Sequence, residues 1–492
     1  MTTTLDPAAR DRATRESAAL ETGRLSTGLR ARTAAMVFGT TPAELAAELR
    51  LISTVDLAHV VMLARQDLLD ADTAGSLLRE IRALRAEDFA SLHGVPAPRG
   101  AYLMYENQLA ARLGDDVGGK LHTGRSRNDL KATTTILGLR AWLTGFLTEA
   151  LRLESVLLGR ARAHREVVMP VYTHFQAAMP ITYGHYLLGV AVALGRDLDA
   201  VLAAAEGFSR CPMGACAVAG TDLPLDPALT ARLLGFSDGP AHAVDAVASR
   251  DVLLRVLAAV AGLGITLSRL GTDLQLWSSA EFGLVAFPDR LVGGSSAMPQ
   301  KRNAFLLEHV KAKAGAAIGA WTAAAAMTKS TPFTNTIEVG TEAVAAARPG
   351  LAAVAGAVLL CQVLVGGATP VADRMSERAE RGFTMATAAA NRLVRAGTPF
   401  RAAHHAVGAA VRTAVATGTT DLGDLGLPAS ALPSVVAETD RGGGPGAFDS
   451  IFAEAAAAAA GRAALARGHR EALLAADSHL DAEVTALAGG AR

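Results

Sequence analysis

Aromatic residues make up only 4% of this 492-residue chain, and three cysteines, Cys211, Cys216 and Cys361, are all its thiols. So few aromatics, beside 50% hydrophobic residues rich in alanine and leucine, argue against extended sheet, whose strands favour β-branched and aromatic side chains. They argue for closely packed helices. Three thiols cannot build a disulfide framework, and Cys211 and Cys216 lack further Cys or His partners at zinc spacing. A reduced compartment, the cytoplasm, is expected. Net charge is missing too: 47 basic residues balance 47 acidic ones, so no global field draws the protein to nucleic acid or an anionic membrane. Any anion site must be local. There is no Rossmann glycine fingerprint, no phosphate-binding loop and no fixed-period repeat, and residues 1–15 lack the apolar centre of a secretory signal. Neither a cofactor nor a metal is expected.

Long uncharged runs are scarce. One, Leu351 to Ala368, lacks charge for 18 residues, the length at which a membrane span becomes a candidate. Its Gln362, its glycines and its many alanines suit a helix buried among other helices, so no membrane partner is expected.

What is present is helical periodicity. Residues 1–40 read as an irregular arm, and Thr41-Pro-Ala-Glu44 then has the form of a capping box with proline at the first helical position. Long helices are expected over about 130–165, 183–209, 246–281, 303–328 and 341–366, with shorter helices after Pro370. The fold class is therefore all-α in three helical domains: 1–119 with its arm, a central elongated five-helix bundle at 120–369, and a small unit at 370–492. The connections 168–180, 211–238 and 282–298 hold most of the glycine and proline.

Three donor-rich islands interrupt this apolar pattern. Gly293-Gly-Ser-Ser-Ala-Met-Pro-Gln-Lys-Arg-Asn303 frees its backbone with two glycines and offers Ser295, Ser296, Lys301 and Asn303 to an anion such as a carboxylate or enolate. The alternative is a surface turn beside a basic pair. Lys120-Leu-His-Thr-Gly-Arg-Ser-Arg-Asn-Asp129 and Tyr172-Thr-His-Phe-Gln176 are the others, and each alone would pass for a solvated connection. Long helices could gather all three at one end of a bundle.

These islands resemble the signature regions of the fumarase/aspartase superfamily, and most nearly those of the argininosuccinate lyase family. Leu121-His-Thr-Gly-Arg-Ser-Arg-Asn-Asp129 is similar to that family's first motif, Thr173-His-Phe-Gln176 to its second, and Gly294–Asn303 to the fumarate-binding loop. Met213–Thr221, Arg250-Asp251, Leu276–Gly283 and Gly397–His405 fit as well. The resemblance implies elimination across a succinyl C–N bond, with fumarate and an amine as products. It implies Ser295 as base, His174 as acid or proton shuttle, Glu308 as its carboxylate partner, and Lys301 and Asn303 as grips on the charge-bearing carboxylate. Ser126, Arg127 and Asn128 would hold the second carboxylate or the α-amino end, Thr173 would donate to the same carboxylates, and Gln176, Ser296 and Met298 would also be in the site. It further implies a homotetramer with a 20-helix core, each active site shared by three subunits, and a small dicarboxylate/amine substrate as the only ligand.

The chain departs from the family where the arginine half binds. Arg99-Gly-Ala-Tyr102 stands for Glu-Asp-Val-His, Leu130 for glutamine, Pro332–Gly340 for a Tyr-Asn-Lys-Asp-Leu-Gln stretch, and Ala304 for proline. The expectation is thus a lyase on an N-substituted aspartate with a non-arginine amine, such as ethylenediamine disuccinate. Argininosuccinate lyase itself is the alternative, and a non-catalytic crystallin-like tetramer a third reading. Whether His122, Tyr102, Asn335 or Glu338 meet substrate or only packing is open at this level.

Overall fold

The structure, a computed structural model, describes residues 29–490. Residues 1–28, most of the expected arm, lie outside the described residues; the remainder of that arm contains a short helix, α1 (Ala31–Phe38), rather than being irregular throughout. Helix α2 (Pro42–Arg65) begins as its sequence dictates. The Thr41 hydroxyl accepts from the Glu44 N–H, the Glu44 carboxylate accepts from the Thr41 N–H at 2.8 Å, and Pro42 takes the first turn. Such a cap contributes about 1 kcal/mol. With α3 (Ala71–Ala86) and α4 (Ala101–Leu113) it encloses a core of Leu49, Val60, Leu63, Leu77, Ile81 and Tyr105.

Five long helices form the centre: α5 (Arg127–Ala163), α6 (Tyr183–Ala205), α7 (Asp251–Trp277), α8 (Phe305–Thr328) and α9 (Ala343–Gly367). Their shared core runs from Leu143 and Leu157 on α5 through Leu194, Val260 and Leu267 to Val310, Val354 and Leu364. Small residues let the helices approach closely. A Cβ on Gly350 of α9 would lie 2.5 Å from the Ala320 Cβ of α8. Two helical stretches, Asp251–Trp277 and Glu338–Gly367, are long and apolar enough to cross a membrane, and both pack within this five-helix layer.

The connection 168–180 contains an antiparallel hairpin, β1 (Val168–Thr173) with β2 (Gln176–Thr182), where sequence reading sees only a loop. After α9 come α10 (Ala372–Arg381), which packs on the hairpin, then α11 (Ala386–Arg395), α12 (Phe400–Thr417) and α13 (Leu432–Glu438). The last helix, α14 (Phe448–Gly490), spans 43 residues, far longer than the short helices expected there. It returns along the molecule: Phe448 joins the bundle core, while Leu480 and Val484 close the core around α2 and α3. Arg462 fixes it midway through ion pairs with Glu154 of α5 at 2.7 Å and Asp199 of α6 at 3.0 Å.

Candidate active site

The first island is held rigidly from behind. Ser126 is the N-cap of α5, its hydroxyl oxygen accepting from the Asn128 N–H at 3.3 Å. The buried Asp129 carboxylate accepts four backbone N–H groups: Ser126 at 3.0 Å and Leu130 at 2.9 Å on one oxygen, Gly214 at 3.2 Å and Cys216 at 2.9 Å on the other. One side chain thereby ties the helix start to the 213–217 connection. The Asn128 amide donates to the Ala217 carbonyl at 3.1 Å and accepts from Asn335 at 2.9 Å, while Arg127 points to solvent.

Beneath it lies Arg125, whose guanidinium meets Asp56 at 2.5 Å with both side chains 0% exposed, and which donates to the Tyr102 hydroxyl at 3.0 Å. Burial opposes the Arg125 charge, but Asp56, Tyr102 and Glu106 outweigh it and hold its pKa above the ordinary value. The Tyr102 hydroxyl reaches Glu106 at 3.1 Å and His122 Nδ1 at 2.9 Å, and His122 Nδ1 donates to the same Glu106 oxygen at 3.0 Å. Burial works against ionisation of Glu106, yet His122, Arg125 and Tyr102 prevail and lower its pKa. His122 is therefore half-exposed and bonded to Tyr102 and Glu106, rather than buried in its loop. His59 of α2 supports the same turn through Nε2 and the Thr123 carbonyl at 2.8 Å, and burial pushes its pKa down to about 3, so the ring is neutral.

The second island is the hairpin tip. Thr173 and Gln176 pair across it, and His174 and Phe175 form the turn at φ of 51° and 61°, a left-handed conformation that such side chains rarely adopt. All four are exposed, Phe175 to 74%. Backbone strain of this kind, about 1–3 kcal/mol per residue, persists where surrounding structure fixes it and clusters at functional sites.

In the third island Gly293 and Asn303 exchange both backbone hydrogen bonds at 2.8 Å, closing a loop between them. Inside it the Ser295 hydroxyl oxygen accepts from the Met298 N–H at 3.0 Å and the Ala297 N–H at 3.3 Å. Two N–H dipoles on one oxygen favour negative charge there. Ser296, Met298 and Lys301 are exposed around it, and the Asn303 amide lies 3.5 Å from the Gly294 carbonyl. Glu308, on the first turn of α8, accepts from Gln275 at 3.1 Å; its expected partner, His174, is not bonded to it within the chain.

The islands divide between the two ends of the bundle. Helices α5 and α9 run parallel, as Lys131 bonds Thr341 at 2.6 Å, Gln362 bonds the Glu149 carbonyl at 2.7 Å and Arg160 bonds the Ala368 carbonyl. Ser126 and Asn128 begin α5, whereas the hairpin follows its end and the 293–303 loop leads into α8, which reaches Asn335 only at its far end. With 24 residues in α8, the two groups stand roughly 36 Å apart. Among the described residues no group of three or more His, Cys, Asp or Glu side chains is set to hold a metal.

Family models match the chain in two places: the lyase model over residues 95–319 and the argininosuccinate lyase C-terminal model over 383–434. The chain is 38% identical to the argininosuccinate lyase of Methanoculleus marisnigri over 378 residues, covering 75% of each. The chain belongs to the argininosuccinate lyase family. The argininosuccinate lyase of Azotobacter vinelandii is 36% identical over 75% of this chain and 80% of its own. A solved structure of EDDS lyase in complex with formate superposes with a TM-score of 0.83 at 27% identity, covering 91% of this chain and 93% of that one. Membership in the argininosuccinate lyase family makes the protein a fumarate-releasing carbon–nitrogen lyase of the fumarase/aspartase superfamily.

For this family member, Asp56, His59 and Glu106 are the supporting residues that sequence reading missed, while Asp129 stands in the first island without its bracing role being visible there. Asp56 and His59 sit among apolar neighbours in α2 and Glu106 follows Tyr105 in α4, and only their position behind the Ser126–Asn128 turn gives them meaning.

Proposed function

We propose that the protein eliminates fumarate from an N-substituted L-aspartate whose amine half is not arginine, such as ethylenediamine disuccinate, with active sites assembled between copies in a homotetramer. The observation that carries this reading is the replaced set around Asn128. Tyr102 occupies the space between Arg125, Glu106 and His122, and Asn335 bonds Asn128 directly, in the stretches where the chain departs from the argininosuccinate pattern. Likeness to EDDS lyase over nearly the whole chain supports it.

In this reading Ser295, charged and held by the Ala297 and Met298 N–H groups, removes the proton β to nitrogen once the loop closes and water is excluded. Lys301 and Asn303 hold the carboxylate into which the carbanion delocalises, and Ser126, Arg127, Asn128 and Thr173 hold the other. Ser296, Met298 and Gln176 complete the enclosure. His174, oriented by Glu308 of another copy, returns a proton to the departing nitrogen.

Assembly is supported by apolar surface on the bundle. Helix α8 buries one stripe, Leu307, Val310, Ala314 and Ala317, but leaves Ile318 and Trp321 43% and 40% exposed; Ile265, Leu359 and Val363 are similarly bare. A helix apolar on most faces needs partners on most faces. Free Cys211, Cys216 and Cys361 fit a cytoplasmic setting.

Argininosuccinate lyase activity is the second reading, favoured by the names and 36–38% identity of the relatives above. The deciding assay follows fumarate release with argininosuccinate, ethylenediamine disuccinate and simple N-alkyl aspartates in parallel. Preference for argininosuccinate would replace the first reading by the second, and silence with every substrate would end both.

A further inference from the structure

Among the described residues, Arg250 is a buried cation without an anion. Its residue is 5% exposed, at the turn into α7, with Nη1 donating to the carbonyls of Val247 at 2.9 Å and Ser249 at 2.7 Å. Among the described residues Nε and Nη2 have no partner. Burial alone pushes its pKa down to about 10, with no carboxylate offsetting it. An isolated buried guanidinium costs several kcal/mol, and such groups persist where an anion completes them.

The surroundings indicate where that anion would come from. Arg250 lines a cavity of about 640 Å³ that starts one turn along α5 from Asn128, at Ala132 and Thr135, and runs beneath Lys329, Pro332 and Phe333. A Cβ on Gly340 would lie 2.6 Å from Asn335 Oδ1 and 3.8 Å from Arg250 Nη2, so Arg250 is next to the asparagine that bonds Asn128. Asn335 Oδ1 is itself buried and, among the described residues, unpartnered. The other charged groups facing the cavity are Arg210, His242, Lys329, Asp245 and Asp251. Of these, Arg210 is paired with Asp238 at 3.4 Å, Asp251 with Arg255 at 2.8 Å, and Asp245 bonds Ser249 at 2.6 Å. Among the described residues neither cavity carboxylate bonds Arg250, and Lys329 Nζ bonds only the Ser330 hydroxyl, at 2.8 Å.

We infer that Arg250 is a specificity-determining residue that receives a carboxylate carried by the amine half of the substrate, beyond Asn128. The inference rests on the lyase reading and narrows it: the leaving amine is an amino acid or aminopolycarboxylate rather than a simple amine. The succinyl group is gripped on one side of Asn128 and the second acidic group enters the cavity on the other. Charge-assisted bonds from Nε and Nη2 would satisfy both orphan donors at once.

The test compares kcat/KM for two N-substituted aspartates, ethylenediamine disuccinate and N-(2-aminoethyl)aspartate, whose amine halves do and do not carry a carboxylate. The expected preference for the first is at least 30-fold and collapses to below threefold in Arg250→Gln, chiefly through KM, with Arg250→Lys intermediate; about 2 kcal/mol is what a 30-fold ratio represents. A role confined to the fold would lower both substrates together and leave the ratio intact, overturning the inference. Because Arg250→Gln could fail to fold, calorimetry on protein that keeps Arg250 supplies an independent reading. With fumarate filling the succinyl grips of the inactive Ser295→Ala protein, N-(2-aminoethyl)aspartate should bind at least tenfold more tightly than ethylenediamine; equal binding overturns the assignment. Fumarate release from both substrates without preference would defeat this inference and leave the lyase reading standing, whereas release from no succinyl amine would defeat the lyase reading itself.

Discussion

Replacing Asp56 by asparagine removes the carboxylate bonded to Arg125 and leaves a guanidinium in a site where both side chains are 0% exposed. Contact at 2.5 Å makes the lost attraction large. Even at 4 Å and an effective dielectric of about 20 it would be about 4 kcal/mol, and breaking buried pairs costs about 3–5 kcal/mol. The damage should be local, because Arg125 precedes the Ser126–Asp129 turn and also fixes Tyr102. Hydrogen exchange at the Ser126–Leu130 amides is the appropriate assay, since it reads opening free energy segment by segment. Asp56→Asn should speed exchange there by roughly 10²- to 10⁴-fold while α12 is unaffected, and should weaken substrate binding with it. Asp56→Leu combined with Arg125→Met should recover at least about half the loss, because a matched apolar pair leaves no orphaned charge. Acceleration of less than about fivefold in Asp56→Asn would refute the picture of a dry, mutually dependent pair supporting the first island.

Other consequences are as direct. Ser295→Ala should lower kcat by roughly 10³-fold with fumarate affinity within a factor of about three, measured by stopped-flow turnover and equilibrium titration; near-normal turnover would remove that serine from the role of base. His59 has its pKa depressed from 6.5 to about 3 in the fold, so the unfolded chain takes up a proton below pH 6.5 and the folded chain does not. Stability should therefore fall as pH drops through that window, by up to about 1.4 kcal/mol per unit. His59→Gln should flatten this slope in denaturation followed from pH 7 to 4, and an unchanged slope would show that another group carries it.

The helical frame was legible because apolar periodicity and end signals agreed. The Thr41 capping box and the glycine-rich breaks between helices are local features, decided by the residues that display them, whereas the Ser126–Asp129 cap starts α5 at Arg127, three residues before the expected start at about 130. The hairpin at 168–182 was not legible. Its strands are short, and its turn places His174 and Phe175 at positive φ where turn chemistry favours Asn-Gly. The length of α14 was not legible either: only shorter helices are expected after Pro370, whereas Gly461 and Gly468 lie inside one continuous helix and packing against α3, α5 and α6 overrides their weak propensity. The motif residues themselves stood out as polar islands. Their supports did not: Asp56 and His59 look like polar faults in α2 until Arg125 and Thr123 are seen beside them. Nor could spacing along the chain show that Asn128 and Ser295 belong to opposite ends of the bundle, which follows from the parallel course of α5 and α9.

That separation gives the account its most direct test. Asn128→Ala and Ser295→Ala chains, each inactive alone, should be co-expressed and the mixed oligomers assayed for fumarate release. If sites draw Asn128 from one copy and Ser295 from another, random assembly restores about one native site in four, and about a quarter of wild-type activity should return. Mixed oligomers as inactive as either parent would contradict an active site built between chains.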